Sequence, residues 1–253
     1  MNAQGRYRIE RLLARGRHSA VYLARDEREG RAVAMKLAAR GDRFAHEFGI
    51  GHALGGEHLI RLYEQGEQAG RAFLAMEYAE RGHAGRLPLP LAPAQALRFA
   101  RQAAQALAQL HQAGWVHRDV KPANLLVRGD GSLALADFGS ACRVGEGAHE
   151  GTVIVGTPRY AAPEQSRGAP AQPAADVYSL GVVLYEWLAG TPPFAGETAT
   201  ELRAQHALAP VPSLPAPAAP WQDLINLLLA KDPGRRLADG RAACAAIALR
   251  DPS

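Results

Sequence analysis

Cysteine is scarce in this chain of 253 residues, which contains only Cys142 and Cys244, far apart in the sequence. So few thiols exclude a disulfide framework and a zinc site built on thiolates, and they are typical of a protein from a reducing compartment. Long hydrophobic runs are lacking too, because the longest, at 177–190, is interrupted by Glu186 well short of a membrane span. We therefore expect a cytoplasmic protein with no membrane segment in this chain.

A strong excess of charge of either sign is also absent, since 29 lysines and arginines stand against 25 aspartates and glutamates. The two signs are interspersed and do not gather into a basic tail or stripe. This distribution indicates a solvated surface and predicts no nucleic-acid interface, with attraction to phosphate or acidic partners as the alternative reading. The nine histidines show no spacing typical of metal ligands.

The pattern of apolar residues divides the chain into two parts. Residues 6–78 hold short β-type runs separated by turn-rich joints, with one helical interruption at 43–54. The runs are 7–13, 20–26, 31–38, 58–68 and 70–78. Beyond residue 90 the apolar period becomes helical, and the proline-rich segment 208–220 is expected to be extended. One face of the predicted helix at 92–114 carries Leu97, Ala100, Ala104, Leu107 and Leu110. The pattern predicts an α+β protein with a small β-rich part followed by a larger, mainly α-helical part.

The densest chemical signal is HRDVKPANLL at 117–126, followed by LADFGSA at 135–141. The carboxylate of Asp119 can orient an attacking hydroxyl and accept its proton. Asn124 and Asp137 supply oxygen ligands of the kind that Mg²⁺ prefers. Two residues past Asp119, a lysine can neutralise the charge of a transferring phosphoryl group. A lone DFG tripeptide is weak evidence, but the ordered set fits ATP-dependent phosphoryl transfer.

With these motifs the chain resembles the eukaryotic-type (bacterial Hanks-type) serine/threonine protein kinases over nearly all of its length. The resemblance implies the bilobal protein-kinase fold, with a nucleotide-binding N-lobe at 1–79. The C-lobe at 80–253 would carry the catalytic loop, the activation segment and the substrate-docking surface. The implied activity is transfer of the γ-phosphoryl of ATP, with Mg²⁺ or Mn²⁺ as the metal, to serine or threonine hydroxyls of protein substrates.

The same resemblance assigns roles to individual residues. Lys36, in the run VAMK, would contact the phosphates and pair with Glu47 on the helix that follows. The other implied catalytic and metal-binding residues are Asp119 and Lys121 for catalysis and Asn124 and Asp137 for the metal. The residues implied for the nucleotide are Leu13, Ala14, Gly16, Ser19, Val21, Ala34, Lys36, Met76, Glu77, Ala79, Leu126 and Asp137.

The activation segment has its own implied residues. GTPRY at 156–160 resembles the substrate loop of serine/threonine-specific members of the family, and Arg236 is the partner expected for Glu164 at the end of the segment. Thr152 is the first candidate for autophosphorylation. Thr157 is the second candidate, unless it is a structural member of the substrate loop.

Several of these residues also have purely structural interpretations. Lys36 and Glu47 could form a surface ion pair, which would contribute little to stability. Three of the nucleotide positions could be ordinary core residues, namely Val21, Ala34 and Leu126. His117 and Asp176 are expected to be packed and hydrogen-bonded, the aspartate to backbone donors, rather than to act as catalysts.

The sequence departs from the family's pattern in three places. The glycine-rich hairpin keeps only its middle glycine, Gly16, and has Ala14 and Ser19 at the outer positions. A non-glycine residue forced to positive φ costs about 1–2 kcal/mol, so nucleotide binding would weaken only if these positions require it. Gly51 stands where the family usually has a large apolar residue, which predicts a loosely held helix. The segment 80–93 is too short and proline-rich for the helix that usually follows the hinge, which the resemblance places at 76–79.

Two other functions fit part of this pattern. A pseudokinase, which binds nucleotide or partners without turnover, would explain the depleted hairpin and the weakened helix. A small-molecule phosphotransferase could share the acid and the metal ligands. However, GTPRYAAPE at 156–164 resembles a peptide-docking feature that such enzymes generally lack. No pattern in the chain predicts the oligomeric state.

Overall fold

The computed structural model of the protein describes residues 2–3, 6–16, 19–38, 42–68, 71–147 and 156–250. Its N-terminal part is one antiparallel sheet with the strand order β1-β2-β3-β4-β6-β5. The strands are β1 Asn2–Ala3, β2 Tyr7–Arg15, β3 Ser19–Asp26, β4 Arg31–Ala38, β5 Leu62–Gln68 and β6 Arg71–Glu77. A single helix, α1 at Asp42–Leu54, lies between β4 and β5 in the chain, which confirms the predicted interruption.

The alternation of side chains along β4 separates two faces of the sheet. Val33 and Met35 pack with Tyr7 and Phe73 in a small cluster on one face. Ala34 and its neighbours two residues apart point to the opposite face, which joins the main core of the molecule. The period of two therefore puts Lys36 on the face of the sheet that is turned toward the helical part.

The fifth strand begins later than the sequence predicts, because the residues before Leu62 pair elsewhere. The N–H of Ile60 donates to the main-chain oxygen of Leu135 at 2.9 Å, and the N–H of Leu135 donates to that of His58 at 2.8 Å. A β-type run does not reveal which strand will accept its hydrogen bonds. Here the bonds join the end of the sheet region to the C-terminal part.

The C-terminal part is mainly α-helical, and the predicted apolar face of its longest helix is fully buried. The helices are α2 Pro93–Gln112, α3 Pro163–Ser166, α4 Pro173–Ala189, α5 Ala199–Leu208, α6 Gln222–Leu228 and α7 Gly240–Ala248. Two small antiparallel sheets join β7 Trp115–Val116 to β10 Cys142–Arg143, and β8 Leu125–Val127 to β9 Leu133–Leu135. Across the described ranges, no helix is both long and apolar enough to cross a membrane.

The proline-rich segment is extended only in its first half. Residues 209–214 have no regular structure, but Ala216–Trp221 is a 3₁₀-helix, so the prediction of an extended chain over 208–220 is wrong there. Pro217 lies in the first turn, where the N–H that proline lacks would be unpaired anyway, whereas Pro220 lies inside the helix. The turn leads directly into α6.

The packing of α1 contradicts the expectation that Gly51 leaves this helix loosely held. A Cβ added to Gly51 would lie 2.6 Å from Leu62 Cδ1 and 2.9 Å from the ring of Phe138. Because Phe138 is fully buried and Leu62 nearly so, there is no empty space beside the glycine. Two neighbouring side chains occupy the volume that a larger residue would fill, and the helix packs closely against them.

Gly51→Ala is expected to lower the free energy of unfolding by about 1–3 kcal/mol, because Leu62 and Phe138 must move to admit the methyl group. Gly49→Ala is the matched control in the same helix, since a Cβ added there meets nothing within 4 Å. The control should gain roughly 0.5–1 kcal/mol, as alanine usually does over glycine in a helix. Urea unfolding of both variants measures the difference, and equal stabilisation by the two substitutions would contradict close packing at Gly51.

Candidate active site

A cleft of about 330 Å³ is lined by residues of both parts of the molecule. From the sheet and α1 its walls contain Arg11, Leu13, Ala14, Val21, Ala34, Lys36 and Glu47. From the end of β6, the segment that follows it and the helical part they contain residues 76–83, Arg86, Ala123, Asn124, Leu126, Ala136 and Asp137. The cleft therefore brings together residues from nearly 130 positions of the chain, between Arg11 and Asp137.

Three charged side chains meet in the wall of this cleft. Lys36 Nζ donates to Glu47 Oε2 at 2.8 Å and to Asp137 Oδ1 at 3.1 Å. Only 3% of the Glu47 side chain is exposed, so Lys36 and Glu47 do not form a surface ion pair. By contrast, 43% of the Asp137 side chain is exposed. The aspartate is thus the member of this triad that is open to a ligand.

The electrostatics of the triad keep its open carboxylate ionised. Burial opposes the charge of Lys36, but the attraction of Asp137 and Glu47 outweighs it and raises the pKa of the ammonium. Burial also raises the pKa of Glu47, with Lys36 acting in the opposite direction. For Asp137 burial is again the largest effect, yet Lys36 holds the pKa of this carboxyl below its ordinary value.

The position of Asp137 depends on a strained turn. Its φ is 67°, a left-handed conformation that costs a non-glycine residue about 1–2 kcal/mol. The next residue, Phe138, is fully buried and packs edge-on against the ring of His117, with the ring centroids 5.9 Å apart. His117 Nε2 also donates to the main-chain oxygen of Ala136 at 3.1 Å. These contacts hold the turn from both sides, and they confirm the structural role predicted for the histidine.

A second polar cluster surrounds the carboxylate of Asp119. Lys121 Nζ donates to Asp119 Oδ2 at 2.6 Å, and Thr157 Oγ1 donates to Oδ1 at 2.9 Å. Lys121 Nζ also donates to Thr157 Oγ1 at 2.9 Å. Asn124 Nδ2 donates to the main-chain oxygen of Asp119 at 2.9 Å. Because Asn124 also lines the cleft, this cluster lies directly beside the charged triad.

The loop that carries Asp119 is held by the buried carboxylate of Asp176. That carboxylate accepts the backbone N–H groups of His117 at 2.7 Å and Arg118 at 2.8 Å, and the ring N–H of His111 at 2.9 Å. Burial alone would raise the pKa of Asp176, but the hydrogen bond from His111 and the backbone donors hold it below its ordinary value. The predicted satisfaction of Asp176 by backbone donors is confirmed.

The segment 156–164 is attached to the helical part at its far end. Arg236 donates to the two carboxylate oxygens of Glu164 at 2.6 and 3.2 Å, which confirms the predicted pair. Thr152, the first predicted phosphorylation site, lies outside the described residues. Thr157 is described, and its hydroxyl is engaged by Asp119 and Lys121. This contact favours the structural interpretation of Thr157.

Most of the positions predicted for the nucleotide lie in the wall of the cleft. They are Leu13, Ala14, Val21, Ala34, Lys36, Met76, Glu77, Ala79, Leu126 and Asp137. Gly16 and Ser19 do not line it, and they close the tip of the β2–β3 hairpin, where the N–H of Gly16 donates to the main-chain oxygen of Ser19 at 2.8 Å. A phosphate contact from these two residues therefore stays a prediction.

The backbone φ angles show whether Ala14 and Ser19 are strained at the two outer positions of the hairpin. Among the described residues, only Arg118 and Asp137 combine a side chain with a positive φ. Ala14 and Ser19 therefore stand in ordinary conformations and carry no left-handed strain.

Several residues of the cleft wall were not identified from the sequence. They lie mostly in the hinge and in the segment that follows it: Tyr78, Glu80, Arg81, His83 and Arg86. Arg11 was also missed, and its Nη2 donates to the hydroxyl of Tyr78 at 3.1 Å across the mouth of the cleft. The polarity of the segment was visible in the sequence. Which of its side chains turn inward was not, because the segment has no regular period.

The residues of the cleft fit a nucleotide with a divalent metal ion. The amide nitrogen of Asn124 is used by Asp119, which leaves its amide oxygen, together with the open carboxylate of Asp137, for a metal ion. Apolar surface for a flat base comes from Val21, Ala34 and Leu126. In addition, His83 Nδ1 is buried and has no hydrogen-bond partner within the described chain, so a ligand can supply one.

Residues 7–248 match the family model described as the protein kinase domain. The chain belongs to the protein kinase family. The match confirms the resemblance and the bilobal α+β fold predicted from it, with the sheet as the small lobe and the helical part as the large lobe. Protein kinases as a family use ATP with a divalent metal ion.

Curated bacterial relatives of this kinase domain are named as serine/threonine-protein kinases. PknL of Mycobacterium bovis is 38% identical over 94% of this chain and 63% of its own length. PknA of Mycobacterium tuberculosis is 38% identical over 93% of this chain and 59% of its own length. A kinase called drp72 from Corynebacterium efficiens is 35% identical over 95% of this chain and 50% of its own length. The kinase domain described here thus spans between half and about three fifths of these relatives.

The segment GTPRY at 156–160 is held by a buried histidine on α5. His206 Nε2 donates to the main-chain oxygen of Arg159 at 3.0 Å, and Nδ1 accepts from the hydroxyl of Tyr178 at 3.0 Å. The side chain is almost fully buried. Burial, helped by the nearby positive charge of Lys231, lowers the pKa of His206 to about 4.

The stability of the domain is expected to fall as the pH drops from about 6.5, the ordinary pKa of histidine, to about 4. In this range the unfolded chain binds a proton at His206 and the folded chain does not, which lowers the free energy of unfolding by up to about 3 kcal/mol. His206→Gln keeps an N–H donor for Arg159 and should remove this part of the pH dependence. Urea unfolding of both proteins at about pH 7 and about pH 5 tests the prediction, and the same pH dependence in both would contradict it.

Proposed function

We propose that this chain is a serine/threonine protein kinase that transfers the γ-phosphoryl of Mg-ATP to hydroxyl groups of protein substrates. The observation that carries the proposal is the arrangement of four side chains around one cleft. Lys36 and Asp137 form an ion pair in its wall, and Asn124, which lines it, donates to Asp119. The names of the bacterial relatives support serine and threonine as the acceptor residues.

Asp119 is the residue that we assign to the acceptor hydroxyl. Its carboxylate orients the hydroxyl and takes its proton, while the new O–P bond forms and the bond from the γ-phosphorus to the leaving ADP oxygen breaks. Lys121, which lies 2.6 Å from Asp119 Oδ2, balances negative charge on the transferred group. The hydrogen bond from Thr157 fixes the orientation of the carboxylate.

Lys36 is the residue that we assign to the phosphates of the nucleotide. Its buried partner Glu47 holds the ammonium in place, so the lysine side chain loses little conformational freedom when the nucleotide binds. Asn124 and Asp137 are assigned to the metal, for which Mg²⁺ or Mn²⁺ suits the oxygen ligands. When bound, Mg-ATP supplies the phosphoryl group and a metal ion that neutralises part of its charge.

The two alternatives have less support. The depleted hairpin and Gly51 favour a pseudokinase, but Ala14 and Ser19 carry no left-handed strain and Gly51 is closely packed. A small-molecule phosphotransferase would not need the segment 156–164. In this chain that segment is tied to the helical lobe through Glu164 and to Asp119 through Thr157.

The two lobes have different roles in the proposed function, and the cysteines bear on the location of the protein. We assign nucleotide binding to the lobe at 1–79, and catalysis and substrate docking to the lobe at 80–253. Cys142 and Cys244 are both free thiols, which supports a reducing compartment such as the cytoplasm.

Asp119→Asn is expected to lower turnover by about 10²–10⁴ while nucleotide binding is preserved, because the amide cannot accept the proton. Transfer of radiolabelled phosphate to a generic basic protein measures turnover, and calorimetry with a non-hydrolysable ATP analogue and magnesium measures binding. Asp223→Asn is the matched control, because Asp223 is exposed on α6 and does not line the cleft. This substitution should leave turnover and nucleotide binding unchanged.

Two outcomes of this experiment would count against the proposal. Turnover that is unchanged in Asp119→Asn would remove this residue from its catalytic role. Nucleotide binding without any transfer by the unmodified protein would favour the pseudokinase.

Autophosphorylation is expected at Thr152 and not at Thr157, whose hydroxyl is already engaged by Asp119 and Lys121. Incubation with Mg-ATP followed by intact-mass measurement and peptide mapping tests this. Trypsin releases both threonines in the single peptide 144–159, so fragment ions must separate them. Asp119→Asn, incubated in parallel, should gain no phosphate. Phosphate on Thr157, or on neither threonine, would contradict the prediction.

A further inference from the structure

Arg128 lies just past the end of β8 and contacts two segments of the chain, the hinge at 76–79 and the loop at 57–61. Its Nη2 donates to Glu77 Oε2 at 3.1 Å, and its Nε donates to the other oxygen of the same carboxylate. Its Nη1 donates to the main-chain oxygen of Glu57 at 2.7 Å, and Nη2 reaches that of Leu59 at 3.2 Å. One guanidinium therefore bridges the hinge and the loop that leads from α1 to β5.

Both of these segments already touch the β8–β9 hairpin through their backbones. On the hinge side, the N–H of Arg81 donates to the main-chain oxygen of Val127 at 3.1 Å, and the N–H of Val127 donates to that of Gly82 at 2.8 Å. On the other side, Ile60 is bonded to Leu135. The hairpin is thus a common support for the two segments, and Arg128 is a side chain of this support that reaches both.

The carboxylate at the centre of this arrangement belongs to a residue of the cleft wall. Glu77 lines the cleft, whereas Arg128 does not. Glu77 Oε2 also accepts the N–H of Arg61 at 3.2 Å, so hinge and loop are linked to each other as well as to the arginine. Both partners of the ion pair are largely buried, with 17% of the Arg128 side chain and 18% of the Glu77 side chain exposed.

We propose that Arg128 is a positioning residue for nucleotide binding, which holds the hinge and the loop 57–61 on the large lobe so that the cleft is preformed. The proposal rests on the proposed function, since it concerns the nucleotide that the cleft would take. Arg128 acts through Glu77 and touches no nucleotide itself. A planar guanidinium suits this task because it presents several donors in a fixed geometry, whereas lysine is a single point of charge.

The expected effect follows from the population of the preformed cleft. Without Arg128 the hinge samples other positions, and only a fraction of the molecules has a cleft that can bind the nucleotide. The apparent dissociation constant of the nucleotide equals the intrinsic constant divided by this fraction. Arg128→Gln should weaken binding of a non-hydrolysable ATP analogue roughly tenfold, and Arg128→Lys should weaken it less. KM for ATP should rise by a similar factor while kcat changes little, because Asp119 and its neighbours are untouched.

Arg6→Gln is the matched control for the loss of a partly buried arginine. Arg6 donates to Asp26 at 2.8 Å and to Glu64 at 2.6 Å, but all three residues belong to the small lobe. Its loss should lower the melting temperature without changing the affinity for the nucleotide analogue. Hydrogen exchange should show faster exchange of the amides at 57–61 and 77–82 in Arg128→Gln and not in Arg6→Gln.

Calorimetry with the analogue and magnesium, together with initial rates, separates the possible outcomes. Affinity in Arg128→Gln within about twofold of the original would overturn the positioning role while leaving the proposed function intact. Equal weakening by Arg6→Gln would also overturn it, since general destabilisation would then explain the effect. Failure of the unmodified protein to bind the analogue would overturn the proposed function and the role of Arg128 with it. Should Arg128→Gln not fold, the milder Arg128→Lys decides the question by the same comparison.

Discussion

The buried carboxylate of Asp176 is the constraint on which the active site depends. A charge removed so completely from water must be met by donors, or the folded state loses several kcal/mol. It finds them in the backbone of 117–118 and in the ring of His111, which in turn accepts the N–H of Gly240 at 3.0 Å. The loop that presents Asp119 therefore cannot change its shape without uncovering this charge.

Polar contacts supplement the apolar packing between the two lobes around a cleft that is open to solvent. Lys36 joins the sheet to Asp137, and Arg128 joins the hinge to the β8–β9 hairpin. Such contacts are directional, so they set distances within the cleft more finely than apolar packing would. Asp176 holds the loop of Asp119, whereas Lys36 and Arg128 hold the sheet and the hinge, so two separate sets of contacts shape the site. Nucleotide affinity and chemistry can then respond to different residues.

Elements with a local cause could be predicted from the sequence. The alternation in 31–38 and the helical period of 93–112 correspond to β4 and α2, because each pattern reports one face turned to the core. The predictions were wrong where the cause lay far away in the chain. Residues 58–60 pair with β9 instead of extending β5, and Gly51 is packed by Phe138 from the other lobe.

By itself the sequence determined the family, the two-lobed α+β organisation and the identity of the chemical groups, since short motifs carry their residue types in a fixed order. Only the tertiary structure decided that Lys36 reaches Asp137, that Thr157 engages Asp119 and that Arg128 spans hinge and loop. Each of these contacts joins residues tens of positions apart. Their geometry follows from how the lobes pack, and no local pattern along the chain encodes a distance between residues that meet only after folding.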